Sequence, residues 1–156
     1  MKIRQAIATD SLLLSSLSVD VQSLHAKHHP DFFKIPTSDD FAMTFFNEML
    51  ADPVVSIFIA EENGQTLGYI LCKLIERPEN PFTFAMRYLL VEQISVHPMA
   101  QGKGVGKILI KRAIILALEL NLQRIQLDSW GFNTKAPAFF EKMGFEKFNH
   151  RFWKNL

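Results

Sequence analysis

The sequence predicts one α/β domain of the α+β kind, with about seven strands and four helices in the order β-α-α-β-β-β-α-β-α-β-β. Three observations carry that prediction. A glycine-rich turn, Gln101-Gly-Lys-Gly-Val-Gly106, separates a strand-type apolar run from a helix-type one. Asn63-Gly64, the strongest short hairpin signal in the chain, lies between two β-branched stretches. Apolar residues recur at helical spacing from Leu13 to Leu24 and again from Val105 to Leu120. At 156 residues and 48% hydrophobic content the chain can bury one substantial core but is short for two domains.

In chain order, Ile3 to Ala6 reads as a first strand. Asp10 is placed to cap a helix whose apolar positions are Leu13, Leu14, Leu17, Val21 and Leu24, and Pro30 ends it. An irregular segment from His25 to Pro36 carries three histidines, Asp31 and Phe32-Phe33. A second helix is expected from about Ser38 to Leu50. Val54 to Ala60 and Leu67 to Ile75 form the hairpin around Asn63-Gly64, and Arg77 to Pro81 makes the next loop. Phe82 to Val96 reads as one long strand whose even positions are apolar except for Glu92. Val105 to Leu120 has the stripe of a buried helix (Val105, Ile108, Leu109, Ala113, Leu116, Ala117), and Lys103, Lys107 and Lys111 recur on another side. Arg124 to Ser129 reads as a strand. Pro137 fits only the first turn of a helix ending near Met143-Gly144, with Asn133 or Thr134 as cap. Phe145 to Lys147 and His150 to Lys154 are expected to close the chain as two short strands.

Charge and cysteine content narrow the function classes. The net charge is only +1, which argues against a dedicated nucleic-acid binder, but residues 1–60 balance at −3 and residues 101–156 at +6. A polyanionic cofactor on the basic side and a neutral or cationic acceptor on the other fit this polarity. No apolar run approaches the ~20 residues that span a bilayer, and Met1 to Asp10 has no signal-peptide core, so a cytoplasmic protein without membrane association is expected. Cys72 is the only cysteine, which excludes an intramolecular disulfide and a Cys-based zinc site. His25, His28, His29 and Asp31, weighed as metal ligands, are read instead as capping or exposed groups at a helix end, and no metal is expected.

A strand, a tight glycine turn and a helix in that order point the helix's first N–H groups and its positive dipole end at one spot, which suits phosphate. Two common phosphate motifs fail on spacing. Gly106-Lys107 runs into Ile108, where a P-loop needs Ser or Thr. A dinucleotide fingerprint starting at Gly102 or Gly104 needs a third glycine at Lys107 or Leu109. What remains is Gln-x-x-Gly-x-Gly after a strand ending Ile94-Ser-Val-His-Pro98.

That pattern resembles the acetyl-CoA signature of the GNAT-type N-acetyltransferases. Asn133-x-x-Ala136-x-x-Phe139-Phe140-Glu141-Lys142-x-Gly144-Phe145 resembles the second acetyl-CoA motif of the same superfamily at the expected distance, and the element order matches over essentially the whole chain. The resemblance implies a mixed, twisted sheet splayed between strands 4 and 5, with acetyl-CoA in the gap. The backbone of Ile94, Ser95 and Val96 would pair with the pantetheine arm. The amides of Gln101, Gly102, Lys103, Gly104, Val105, Gly106 and Lys107 would hold the pyrophosphate. Asn133 would hydrogen-bond the cofactor or simply cap a helix, and Phe140 would lie against the cofactor.

The family's chemistry is direct attack of an amine on the thioester, which requires a base, a polarised carbonyl and help for the departing thiolate. Glu92, on an otherwise apolar strand face, is the expected base, with desolvation fitting it to that role. A β-bulge in the strand would change where it points. Many relatives have Tyr where this chain has Phe140, so Tyr88, Ser129 or a water would have to serve the thiolate. The expected activity is acetyl transfer to a primary amine of a small molecule. A protein acetyltransferase and a non-catalytic acyl-CoA sensor are the alternatives. Oligomeric state stays open, dimers being common in the family.

Overall fold

At the Asn63-Gly64 turn both residues take positive φ, 51° and 78°, the backbone a two-residue hairpin needs to match strand twist. The computed structural model, which describes residues 1–156, builds its sheet outward from that hairpin. Strands β1 (Lys2–Gln5), β2 (Val55–Glu62), β3 (Gln65–Arg77), β4 (Met86–Val96) and β5 (Ile125–Leu127) lie side by side in sequence order. The first three pairings are antiparallel and β4–β5 is parallel, so the sheet is mixed. Four helices cover it: α1 (Ser11–His28), α2 (Met43–Ala51), α3 (Val105–Glu119) and α4 (Lys135–Lys142).

Each face has its own core. On one, Phe58, Ile70, Cys72, Leu89 and Val91 pack against Leu109, Ile110 and Ala113 of α3 and Phe140 of α4. On the other, Ile57, Ile59, Tyr69 and Leu71 pack against Leu14 of α1 and Phe46 of α2. Burial pushes the Cys72 thiol up to about 12, which keeps it protonated and inert.

The sheet has five strands rather than about seven. Phe145 to Lys147 and His150 to Lys154 take no regular structure: their alternation covers only three and five residues, and β5 offers an edge three residues long. β4 starts at Met86 rather than Phe82, because Pro81 and a closed Asn80–Thr83 turn, in which the Asn80 side chain accepts from the Phe82 and Thr83 amides, interrupt the ladder. Phe82 and Phe84 are left almost wholly exposed. α2 starts at Met43, not Ser38. Asp10 precedes α1 but its side chain does not cap it. The carboxylate accepts instead from both Arg4 Nη atoms, at 2.7 and 2.9 Å, and from the Ile7 amide at 2.8 Å.

Candidate functional site

β5 pairs with β4 only at Leu89, Leu90 and Val91, whereas β4 continues to Val96. From Glu92 onward β4 has β3 on one side and no strand on the other, so the sheet splits there. A bulge falls at the same residue: Val91 faces Cys72 and Gln93 faces Leu71, leaving Glu92 unmatched. The bulge resets the alternation. Leu89 and Val91 face the α3 core before it, and Ile94 and Val96 pack on that core after it. The single apolar even-numbered face expected from Phe82 to Val96 is therefore two half-faces. Glu92 stands exposed at their junction rather than in the desolvated setting anticipated for it.

The wall of the split is backbone. A bond from the His97 amide to the Leu67 carbonyl, 2.9 Å, fixes the phase of the β3–β4 ladder. Antiparallel alternation then turns Ser95 toward β3 and leaves the N–H and C=O groups of Ile94 and Val96 facing the split. Gln101 Nε2 reaches the Val96 carbonyl at 3.3 Å, and the buried Ser95 hydroxyl donates to Leu17 O of α1 at 2.9 Å. Gly68, opposite Val96, was not singled out in the sequence. A Cβ there would stand 2.3 Å from the Ser95 carbonyl oxygen, so only glycine lets β4 approach β3 this closely at the split.

The glycine loop follows directly. Gly102 and Gly104 have φ of 78° and 83°, with nothing within 4 Å of where a Cβ would stand. Gly104, the residue before α3, has no side chain to cap the helix, and the first helical bond is Ile108 N to Gly104 O. The amides of Gly102, Gly104, Val105, Gly106 and Lys107 therefore have no acceptor within the chain. Lys103 and Lys107 are exposed beside them and no acidic residue occupies the first turn. Open space, orphan donors and two cations fit a pyrophosphate. Gly106 also has a packing role, since a Cβ there would lie 3.3 Å from Cζ of Phe139 and hold α4 off α3. Thr134 holds the position before α4 without a side-chain cap, and Asn133, one residue earlier, accepts from the Ala136 amide through Oδ1 at 3.3 Å. Phe140 is buried in the α3-side core beside Phe139 and Phe145, where it offers no donor.

The two remaining donor candidates lie apart. Ser129 is exposed two residues beyond the end of β5, at the open end of the split. Tyr88 is buried before Leu89, on the paired side of the split and under the Arg77 guanidinium. Four residues at ~3.3 Å each separate it from Glu92, so the fold does not bring Tyr88 to the gap.

α1 spans the split. Leu17 is bonded to β4, and about 12 Å further along the helix the histidines at its C-terminal end meet the segment after β5. His28 stacks on Phe132 with centroids 4.4 Å apart, and His25 lies edge-on to Phe33 and Phe132 at 4.8 and 5.2 Å. Trp130 touches Phe32, Phe33 and His29 at 5.2, 4.8 and 5.5 Å, and Trp153 of the tail closes on His29 at 5.1 Å. His25 Nδ1 lies 2.6 Å from the Val21 carbonyl, which orients its ring. No sequence pattern links these rings, because they come from three segments far apart in the chain, residues 25–33, residues 130–132 and Trp153. The histidines pack with aromatic rings, and no group of three or more His, Cys, Asp or Glu side chains is placed to hold a metal.

Residues 20–145 match the Acetyltransferase (GNAT) family. The chain belongs to the GNAT acetyltransferase family. This GNAT protein is 25% identical over 147 residues to the uncharacterized N-acetyltransferase YhfO of Bacillus subtilis, covering 94% of this chain and 91% of that protein. It is 26% identical over 129 residues to a mycothiol acetyltransferase of Pseudarthrobacter chlorophenolicus, covering 83% of this chain but only 38% of that protein's length. Among solved structures, a tetramutant of the BH1408 protein of Bacillus halodurans superposes with a TM-score of 0.92 at 21% identity, covering 100% of both chains. A predicted acetyltransferase from Clostridium acetobutylicum, solved with acetyl-CoA, gives 0.72 at 22% identity over 99% of this chain and 95% of that one. An aminoglycoside N-acetyltransferase in complex with CoA gives 0.73 at 20% identity over 99% and 93%. At these identities the structures establish the fold of the GNAT protein.

Proposed function

We propose that the protein transfers the acetyl group of acetyl-CoA to a primary amine of a small molecule within a ternary complex. One observation carries this reading: the backbone edge of β4 that no strand covers and the uncapped, lysine-flanked start of α3 meet at a single split in the sheet. Family membership and the acetyl-CoA and CoA complexes of two similar folds support the cofactor. The aminoglycoside enzyme among them supports a small acceptor.

Acetyl-CoA, when bound, supplies a thioester at which an amine nitrogen forms the C–N bond as the C–S bond breaks. The chain's own groups prepare that exchange. Backbone groups of Ile94 and Val96 hold the pantetheine arm as an added strand would, and the orphan amides from Gly102 to Lys107 hold the pyrophosphate. Glu92, lifted from the ladder by the bulge and exposed where the strands part, takes the proton from the incoming ammonium. Phe140 has no proton for the departing thiolate, so Ser129 or water supplies it. Phe140 is also the one observation that favours a second reading, acyl-CoA binding without turnover.

Calorimetry with acetyl-CoA, followed by an assay of CoA release over a panel of primary amines, tests the proposal. Tight binding with amine-dependent release supports it. Binding with no release from any amine favours the sensor, and no binding removes both readings.

A further inference from the structure

The aromatic rings at the end of α1 have no part in either core. Phe32, Phe33, Trp130, Phe132 and Trp153 are absent from both buried clusters, yet they assemble with three imidazoles into one contiguous group. Phe32 and Trp153 are 60% and 58% exposed at its surface, and apolar area gathered into one exposed patch marks a binding surface. Its position gives it a task. α1 crosses from Ser95 on β4 to Trp130 beyond β5, so the group lies against the open side of the split, where an acceptor must enter.

We infer that the acceptor is a primary amine carried on an aromatic ring, seated against Phe32, Phe33, Trp130 and Trp153; the inference rests on the acetyl-transfer reading. The rings meet edge-on or tilted, with centroids 4.8–6.0 Å apart, and the exposed area of Phe32 and Trp153 is where one more ring packs in the same geometry. None of the grouped side chains carries a hydroxyl or a carboxylate. Their polar atoms are two indole N–H groups and the neighbouring imidazole nitrogens, fewer partners than the several hydroxyls of an amino sugar call for. A flat apolar ring bearing an aminoalkyl arm matches the site, its ring packing against these rings.

Both tryptophans of the chain belong to this group, so intrinsic fluorescence reports directly on it. With CoA present to prevent turnover, the full-length protein is titrated with phenethylamine, ethylamine and glucosamine. Phenethylamine should change the emission saturably, at concentrations about tenfold or more below those at which the other two act. Phe33→Ala should raise its half-saturation about tenfold, and Phe33→Leu, which keeps apolar bulk, should fall between. Acetyl-CoA affinity, measured by calorimetry, should not change in either variant. Equal binding of ethylamine or glucosamine, or no emission change with phenethylamine, overturns the inference. If phenethylamine binds but neither it nor any other amine of a broad panel is acetylated while acetyl-CoA is bound, the ring site stands and the transfer reading falls; if other amines are acetylated and bound phenethylamine is not, the inference is overturned. If glucosamine is acetylated faster than phenethylamine, the transfer reading stands and the ring site falls.

Discussion

Gly104→Ala separates the ligand's demand on the glycine loop from the fold's. Gly104 sits at φ 83° with nothing within 4 Å of an added Cβ, so a methyl group meets no protein atom and the only internal cost is the left-handed backbone. That cost is about 1–2 kcal/mol for an alanine, and each kcal/mol lowers Tm by about 2–4 °C in a domain of this size. Gly64, at φ 78° with the same open surroundings, lies in the β2–β3 turn and makes Gly64→Ala the matched control. Both variants should lose similar stability in the free protein. Only Gly104→Ala places a methyl group where pyrophosphate oxygens must approach the amides of Gly104 to Lys107. Losing one charge-assisted hydrogen bond costs about 1.5–3 kcal/mol, which corresponds to a rise in acetyl-CoA Kd of about 10- to 100-fold. Thermal denaturation with and without acetyl-CoA, together with calorimetry, reads both quantities. An unchanged Kd in folded Gly104→Ala, or an equal rise in Gly64→Ala, would refute the cradle.

Three further outcomes follow from the same geometry. Replacing Lys103 and Lys107 together with Gln should weaken acetyl-CoA binding and flatten its salt dependence, because exposed charges act through screened attraction; wild-type values for both would assign them to a solvated face. Glu92→Gln keeps shape but cannot accept a proton, and should lower kcat by about 100-fold or more with acetyl-CoA affinity unchanged; full activity at neutral pH would return the base to water. Hydrogen bonds from Arg4 hold the Asp10 carboxyl below its ordinary value, so its contribution is present above the ordinary carboxylate pKa and is lost as pH falls through the lowered one. Asp10→Asn should cost about 1–3 kcal/mol at pH 7, and the gap to wild type should close in acid; a gap that stays constant with pH would mean the pair is not electrostatic in effect.

The parts of this architecture that announce themselves in sequence are those governed by local backbone chemistry. Asn63-Gly64 and the run from Gln101 to Gly106 demand positive φ, and each occurs where the structure turns. The stripe of α3 is legible because one helix face is wholly buried. What escapes depends on partners distant in the chain. Nothing in Phe82 to Val96 shows that the ladder slips at Glu92, because a bulge is a property of two strands, and the apolar residues alternate through it. The crowding at Gly68 is set by a carbonyl 27 residues away. Phe32-Phe33 and the histidines stand out as residues, but their grouping with Trp130 and Trp153 needs the fold. The expected terminal strands show the opposite error, a short alternating pattern that no sheet edge extends to meet.

The central claim is tested most directly by mass spectrometry of the products formed when the protein is incubated with acetyl-CoA bearing an isotopically labelled acetyl group and a primary amine. The account predicts an amide carrying the label on the amine nitrogen, formed in step with free CoA and lost in Glu92→Gln. Acetyl-CoA bound by the protein, with no labelled amide from any amine of a broad panel, would contradict it.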